Sequence, residues 1–364
     1  MADFTNEKEI GVNKKNEKIP VGVLGATGSV GQKFIQLLEN HPYFEVREVA
    51  ASERSAGKKY AQAVNWFLPG QPPESVKEMI IKPAEANLDC RLVFSGLDAS
   101  VAGEVETAFA QAGYMVVSNS KNHRIDTDVP LLIPEVNPDH LNLMEKQPYP
   151  GKIVTNPNCS TIGLVMAVKP LIDAFGVEKI NVVTLQAISG AGYPGVSALT
   201  ILENAIPYIG GEEEKIESEP CKILGKFEKD QIIALDLPIS AQCNRVPVID
   251  GHLLAVQVQL KEKAAREDII KVWKEFKSEP QAFNLPSAPR QPVHYLQADD
   301  YPQPRLHRDI ENGMAVSVGR LRKCPLFDYK FSVLSHNTVR GAAGGAILCA
   351  ELMKYRGYLD KITP

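Results

Sequence analysis

The stretch IPVGVLGATGSVGQKFIQLLENH, residues 19–41, constrains the fold more than any other part of the chain. Residues 19–25 are apolar without alternation, as in a strand buried on both faces. Residues 29–41 then place Val30, Phe34, Leu37 and Leu38 at helical spacing. Gly25, Gly28 and Gly31 stand between the two. A strand that turns through glycines into an amphipathic helix implies a parallel crossover, because the helix must pack back on the sheet. Further strands are expected at 45–52, 90–97 and 114–120, with a helix at 102–113. The rhythm predicts an α/β fold that opens with a Rossmann-type parallel sheet.

The second half changes character. After Cys159 a long helix is expected, to about Phe175, and a strand over 179–189. Residues 253–260 alternate strictly over Val256, Val258 and Leu260, and 315–323 and 328–336 alternate too. Such runs imply a mixed or antiparallel sheet with one exposed face. Residues 287–310, rich in proline and polar side chains, read as a long surface loop, and 338–355 as a small-residue helix suited to close packing.

Composition excludes several classes. With 364 residues and 44% hydrophobic side chains, the chain can bury a core in each of two domains. A net charge of -4 offers no nucleic-acid surface, so any anion site is local. No run approaches the ~20 apolar residues of a membrane span, and residues 1–18, a polar leader, lack a signal peptide's apolar centre. Cys90, Cys159, Cys221, Cys243, Cys324 and Cys349 form no CxxC pair, which points away from a zinc site or a disulfide framework. A cytoplasmic protein with no metal is expected.

Glycines between a strand and a helix let the backbone approach a pyrophosphate held on the helix N-terminus. Gly25, Thr27, Gly28, Ser29 and Val30 are the candidates for that contact, joined by Ser95 and Gly96 at the end of a later strand. A tight turn with no ligand is the alternative. Sites for NAD place an acidic residue ~20 positions on, against the ribose 2′-hydroxyl. Ser52 holds that position, with Arg54, Ser55 and Lys58 nearby, which favours the 2′-phosphate of NADP. Glu53 would serve NAD if the register moved by one, and a solvated basic loop is the other possibility.

In VTNPNCSTIGLVMAV, residues 154–168, Cys159 precedes the apolar run instead of lying inside it. A turn at Asn156-Pro157 and a helix from Ser160 put its sulfur at a helix N-terminus, which favours the nucleophilic thiolate. Asn158 and nearby backbone N–H groups are candidates to hold an oxyanion. A small buried cysteine is the competing reading. A thiol beside a nicotinamide suggests thioester chemistry with a histidine as proton carrier. Of seven histidines, His252 is favoured, at a turn feeding the strand 253–260, although a histidine there can be purely structural.

The motifs GATGSVG, SERSAGK, DVPLLIPEVN, NPNCST, QAISGAGYPG, NRVPVIDGH and HNTVRGAAGGA occur in an order that resembles the aspartate-semialdehyde dehydrogenase family, in its archaeal and fungal branch. The resemblance runs from about Val21 to the C-terminal helix. It implies reductive dephosphorylation of aspartyl phosphate by NADPH to aspartate semialdehyde and phosphate, on the route to lysine, threonine and methionine. It further implies Cys159 as nucleophile, His252 as acid/base and Gln186 as the residue orienting the acyl group. Arg245 would bind the α-carboxylate, Glu212 the ammonium and Lys215 the phosphate, with Glu213 a near-equal candidate for Glu212. Arg124 would be a second phosphate ligand with Asn119 beside it, or else a surface arginine in a polar loop. Ser189, Gly190 and Asn337 would approach the nicotinamide.

The fold so implied is a Rossmann-type domain plus an α/β catalytic domain with a mixed sheet, resembling glyceraldehyde-3-phosphate dehydrogenase. The expected division is a leader at 1–18, an NADP-binding domain at 19–157 completed by 338–364, and a catalytic and oligomerisation domain at 158–337. The exposed sheet face needs cover, and the family implies a homodimer or homotetramer. Rival readings are a reductase of N-acetyl-glutamyl phosphate or malonyl-CoA, neither of which offers Glu212 a cation, and a non-catalytic NADP-binding sensor. A thiol hydrolase fits the glycine turn poorly.

Overall fold

The computed structural model describes residues 17–360, so the leader, apart from its last two residues, lies outside the described residues. β1 (Ile19–Leu24) runs into the glycine turn and then α1 (Ser29–Leu38). β2 (Phe44–Ala51), β3 (Lys82–Pro83), β4 (Leu92–Ser95), β5 (Met115–Ser118) and β6 (Lys152–Thr155) follow, with α2 (Ala99–Gln111) between β4 and β5. The six strands form one sheet in the order β3-β2-β1-β4-β5-β6. Every pairing in it is parallel. Val21, Val23, Leu92, Phe94, Val116 and Val117 are fully buried, as central strands covered on both faces require. The chain winds outward in both directions from β1, so a crevice opens beyond the carboxyl ends of β1 and β4.

α3 (Cys159–Phe175) leaves β6 and enters the second half. There β7 (Val177–Gln186) precedes α4 (Glu212–Ile223), a hairpin of β8 (Lys226–Glu228) and β9 (Gln231–Ile233), β10 (Ile239–Arg245), β11 (His252–Leu260) and α5 (Arg266–Glu275). β12 (Val293–Leu296), β13 (Val316–Lys323), β14 (Tyr329–Ser335) and α6 (Gly344–Tyr355) complete the described chain. The second sheet has the order β10-β7-β11-β14-β13-β12. Its outer pairs are parallel and its inner pairs antiparallel, so the sheet is mixed as expected. Val182, Leu254, Val256, Phe331 and Val333 share a core with Val165 and Leu171 of α3, Ile216 of α4 and Trp273 of α5. Leu185 and Ala255, on the opposite face, are exposed.

Two segments differ from the sequence reading. Residues 287–310 are not loop throughout: Val293–Leu296 forms β12, paired in parallel with β13, and Pro304–His307 makes a helical turn. The flanking prolines mask a four-residue edge strand whose Val293 is fully buried. The C-terminal run is not one helix. Gly341 N–H bonds to His336 O and Ala343 N–H to Thr338 O, making a wide turn over Val339–Ala343 before α6 starts. Ala342 takes φ -149° and ψ -107° within that turn. α6 then packs Ala346, Ile347 and Ala350 into the core that holds Phe34 and Ile35 of α1, and Leu285 and Met314 join the same core. No helix among the described residues is long and apolar enough to cross a membrane.

Candidate active site

Asn158 fixes the start of α3. Its side-chain oxygen accepts the N–H groups of Ser160 at 2.9 Å and Thr161 at 3.2 Å, two of the donors a helix start leaves open. Cys159 is therefore the first helical residue, and its Sγ lies 3.2 Å from His252 Nε2. His252 opens β11 and is fully buried. Its Nδ1 accepts the Ala187 N–H at 3.0 Å, so the neutral ring carries its proton on Nε2 and meets the sulfur as a donor. Burial and the nearby Arg245 push the imidazolium down to about 3. Burial and the Glu212 charge push the thiol up to about 12, against the pull of Lys215, Arg124 and Arg245. Burial thus works against the thiolate that the helix N-terminus favours.

α4 supplies the facing wall. Glu212 is paired with Lys215 and accepts from Asn158 Nδ2 at 2.9 and 3.1 Å and from Gln186 Nε2 at 3.2 Å. Burial alone would raise its pKa, but Lys215 and these hydrogen bonds prevail and hold the carboxyl below the usual range. Glu213 points elsewhere. Its carboxylate accepts the Cys243 N–H and that of Glu217 accepts the Ala241 N–H, which covers donors of the edge strand β10.

A cavity of about 300 Å³ joins the two halves. Ser29, Val30, Asn119, Arg124, Cys159, Ser189, Gly190, Glu212, Lys215 and Asn337, all singled out from sequence, line it. Lys121, Thr338, Gly341 and Ala342 also line it and were missed. Lys121 lay in view, three residues before Arg124 in the same polar segment.

Several assigned residues stand back from this cavity. Arg245 donates to Ala187 O at 2.7 Å and lies behind Gly190, where a Cβ would fall 2.8 Å from Arg245 Nη1 and 3.1 Å from His252 Cε1. Gln186 is 1% exposed, its amide engaged with Glu212 and Thr184. The Asn158 amide is likewise engaged with Glu212, so the Cys159 N–H is the donor of the first turn left without a partner among the described residues. Ser95 is fully buried with its hydroxyl on Glu106, which turns that side chain away from the crevice. Asn337 donates to Ser189 Oγ at 2.8 Å and accepts the Gly251 N–H at 2.8 Å, so it holds the Ser189 loop in place.

The residues around the glycine turn fit a dinucleotide. Gly25 takes φ +73°, and a Cβ there would meet Gly96 O at 2.6 Å. Gly28 gives the α1 N-terminus no side-chain cap, which leaves that end to an anion. Ser52 is the first residue past β2, and the turn closes with Ser55 N–H bonded to Ser52 O. Ser52, Glu53, Arg54 and Lys58 are exposed there, whereas Ser55 is buried. Ser29 and Val30, the first residues of α1, line the same cavity as Cys159.

Comparison with known proteins gives a consistent result. Residues 20–144 match the family described as semialdehyde dehydrogenase, NAD binding domain, and residues 168–340 match semialdehyde dehydrogenase, dimerisation domain. An aspartate-semialdehyde dehydrogenase of Archaeoglobus fulgidus is 49% identical over 338 residues, covering 92% of this chain and 97% of the relative. The crystal structure of aspartate semialdehyde dehydrogenase with NADP from Candida albicans superposes with a TM-score of 0.86 at 44% identity, covering 93% of this chain and 99% of that one. That of aspartate semialdehyde dehydrogenase II complexed with ASA from Vibrio cholerae gives 0.74 at 27% identity, covering 94% and 99%.

Proposed function

The chain belongs to the aspartate-semialdehyde dehydrogenase family, and from that premise we propose that its cavity reduces aspartyl phosphate to aspartate semialdehyde through a thioester on Cys159. The observation that carries this reading is the meeting, in one cavity, of the first residues of α1, which follow the glycine turn, and a cysteine whose sulfur lies 3.2 Å from a buried histidine. Attack of Cys159 on the acyl carbon forms the thioester C–S bond and breaks the C–O bond to phosphate, and the thiol proton leaves with the departing phosphate. The oxyanion that forms is held by the Cys159 N–H and by His252 Nε2–H, which faces the same sulfur. When bound, NADPH supplies the hydride that reduces the thioester. His252 keeps its Nε2 proton directed at the reacting oxygen and sulfur because Ala187 occupies Nδ1. Acting as a base would put a second proton on Nδ1 facing that N–H, so His252 serves first as donor and only transiently as proton carrier.

The substrate's charges match the wall. Glu212, held ionised, meets the α-ammonium, while Lys215 and Arg124, with Asn119 beside them, take the phosphate. Arg245, which lies behind Gly190, takes the α-carboxylate, and Gln186 orients the acyl group through Glu212. Ser189, Gly190 and Asn337 flank the nicotinamide. Ser52 and Arg54, exposed beyond β2, receive the 2′-phosphate of NADP, with Ser55 shaping the turn.

On this reading the domains divide at 19–157 with 338–364, and 158–337, residues 361–364 lying outside the described residues. The outer face of the second sheet, with Leu185 37% exposed, pairs with a second copy in a homodimer or homotetramer. The free thiols suit a reducing cytoplasm. The test is NADP reduction by aspartate semialdehyde. Turnover that requires phosphate and is lost in Cys159→Ala supports the proposal. Turnover with the N-acetylated or CoA-linked substrate instead would overturn it.

A further inference from the structure

α4 faces the site with more than Glu212 and Lys215. At helical spacing the same row continues through Glu219 and Lys222. Glu219 is 1% exposed and lines no part of the cavity, yet its two oxygens reach two different parts of the site. Oε1 accepts from Arg124 Nη1 at 2.9 Å, and Oε2 accepts the Asn158 N–H at 2.7 Å. Arg124 comes from the segment after β5 of the first sheet. Asn158 is the cap that fixes Cys159. One buried carboxylate thus ties the arginine to the nucleophile's turn.

The rest of the network supports the arginine. Arg124 Nη2 donates to Asn119 O at 3.0 Å, whereas its buried Nε has no partner among the described residues. A guanidinium has donors to spare after two such bonds, and these remain for an anion. Lys222 Nζ donates to Arg124 O at 2.8 Å, Asp126 O at 2.7 Å and Val129 O at 2.8 Å. Side chain and main chain of the arginine segment are therefore both fixed from one helix.

We propose that Glu219 is a positioning residue that sets the phosphate-binding guanidinium of Arg124 relative to Cys159. The inference rests on the reading of Arg124 as a phosphate ligand. A glutamine at 219 keeps the shape but turns an amide N–H₂ toward one of two donors, so Arg124 or Asn158 loses its acceptor. Charge-assisted bonds of this kind correspond to about a ten- to hundredfold effect.

Phosphate-dependent oxidation of aspartate semialdehyde, with inorganic phosphate varied, reads this directly. Glu219→Gln is expected to raise the KM for phosphate about tenfold or more, with the KM for aspartate semialdehyde and for NADP within about twofold. Glu219→Asp, which retains the charge and serves as the reading if the glutamine variant does not fold, is expected to fall between it and the parent. Arg124→Leu should raise the phosphate KM further, and adding Glu219→Gln to it should change little more. If Arg124→Leu leaves the phosphate KM unchanged, the ligand assignment fails and takes this inference with it. If Arg124→Leu raises it while both Glu219 variants keep the parental value, the ligand assignment stands and the positioning role is refuted. A fall in kcat with every KM unchanged also refutes it, since a merely structural defect behaves that way.

Discussion

Substituting Gly341 by alanine tests how tightly the nucleophile is held. A Cβ at Gly341 would fall 2.6 Å from Cys159 Cβ and 2.9 Å from Cys159 Cα. Carbon atoms rest at about 3.5–4.0 Å, so the two backbones must part by about 1 Å. Neither yields easily. Cys159 is fixed by the Asn158 cap, and the wide turn carrying Gly341 is pinned by the buried Arg340–Glu135 pair and by the Gly341 N–H bond to His336 O. Overpacking of this kind costs about 1–3 kcal/mol of stability. A reacting atom displaced by about 1 Å loses on the order of a hundredfold in rate. Gly341→Ala should therefore fold with a lowered melting temperature, bind NADP through an intact glycine turn, and show kcat reduced on the order of a hundredfold, with slower alkylation of Cys159 by iodoacetamide. A kcat within about threefold of the parent, with unchanged alkylation, would refute the reasoning.

Further outcomes follow from other parts of the structure. Arg54→Ala should weaken NADP about tenfold while leaving NAD unaffected, because Arg54 is exposed beside Ser52 at the end of β2; equal losses for both cofactors in a binding titration would contradict that. His252 is pushed down to about 3 from 6.5, so the unfolded chain binds the proton first and stability falls as pH drops through that window. Urea denaturation of His252→Gln should show a shallower acid loss, by on the order of a few kcal/mol, and parallel curves for parent and variant would contradict the assignment. Arg340→Met should cost about 3–5 kcal/mol by stranding Glu135, and Glu135→Leu with it should recover most of that in the same denaturation assay.

Much of this fold is legible in residue patterns. The unbroken apolar strand at 19–25 and the alternation over Val256 and Val258 gave sheets of the right kind, because one face or both faces of each strand meet a core. VHYL, at 293–296, was hidden because four residues among prolines carry too little periodicity, and its strand exists only because β13 offers a partner. The broken C-terminal helix could not be read from small residues alone, although one of them, Gly341, stands where a Cβ would meet Cys159.

In the site, Cys159 and the glycine turn were visible because each chemistry needs a residue type at a chain landmark. Glu219 and Lys222 were not, since EEEKIESEPCK reads as a solvated charged helix until its faces are known. One row docks on β10, and the other lies under the cavity. The same contacts separate Glu212 from Glu213, which composition left level. The burial that works against a Cys159 thiolate and a His252 imidazolium is encoded by no local motif.

The most direct test is to mix the enzyme with NADP and aspartate semialdehyde without phosphate and to follow reduced nicotinamide in the first turnover. A thioester on Cys159 predicts a burst equal to the enzyme sites, an acyl group on the Cys159 peptide by mass spectrometry, and steady turnover only when phosphate is added. Cys159→Ala should give neither burst nor adduct. Steady turnover without phosphate, or a burst that survives in Cys159→Ala, would contradict the account.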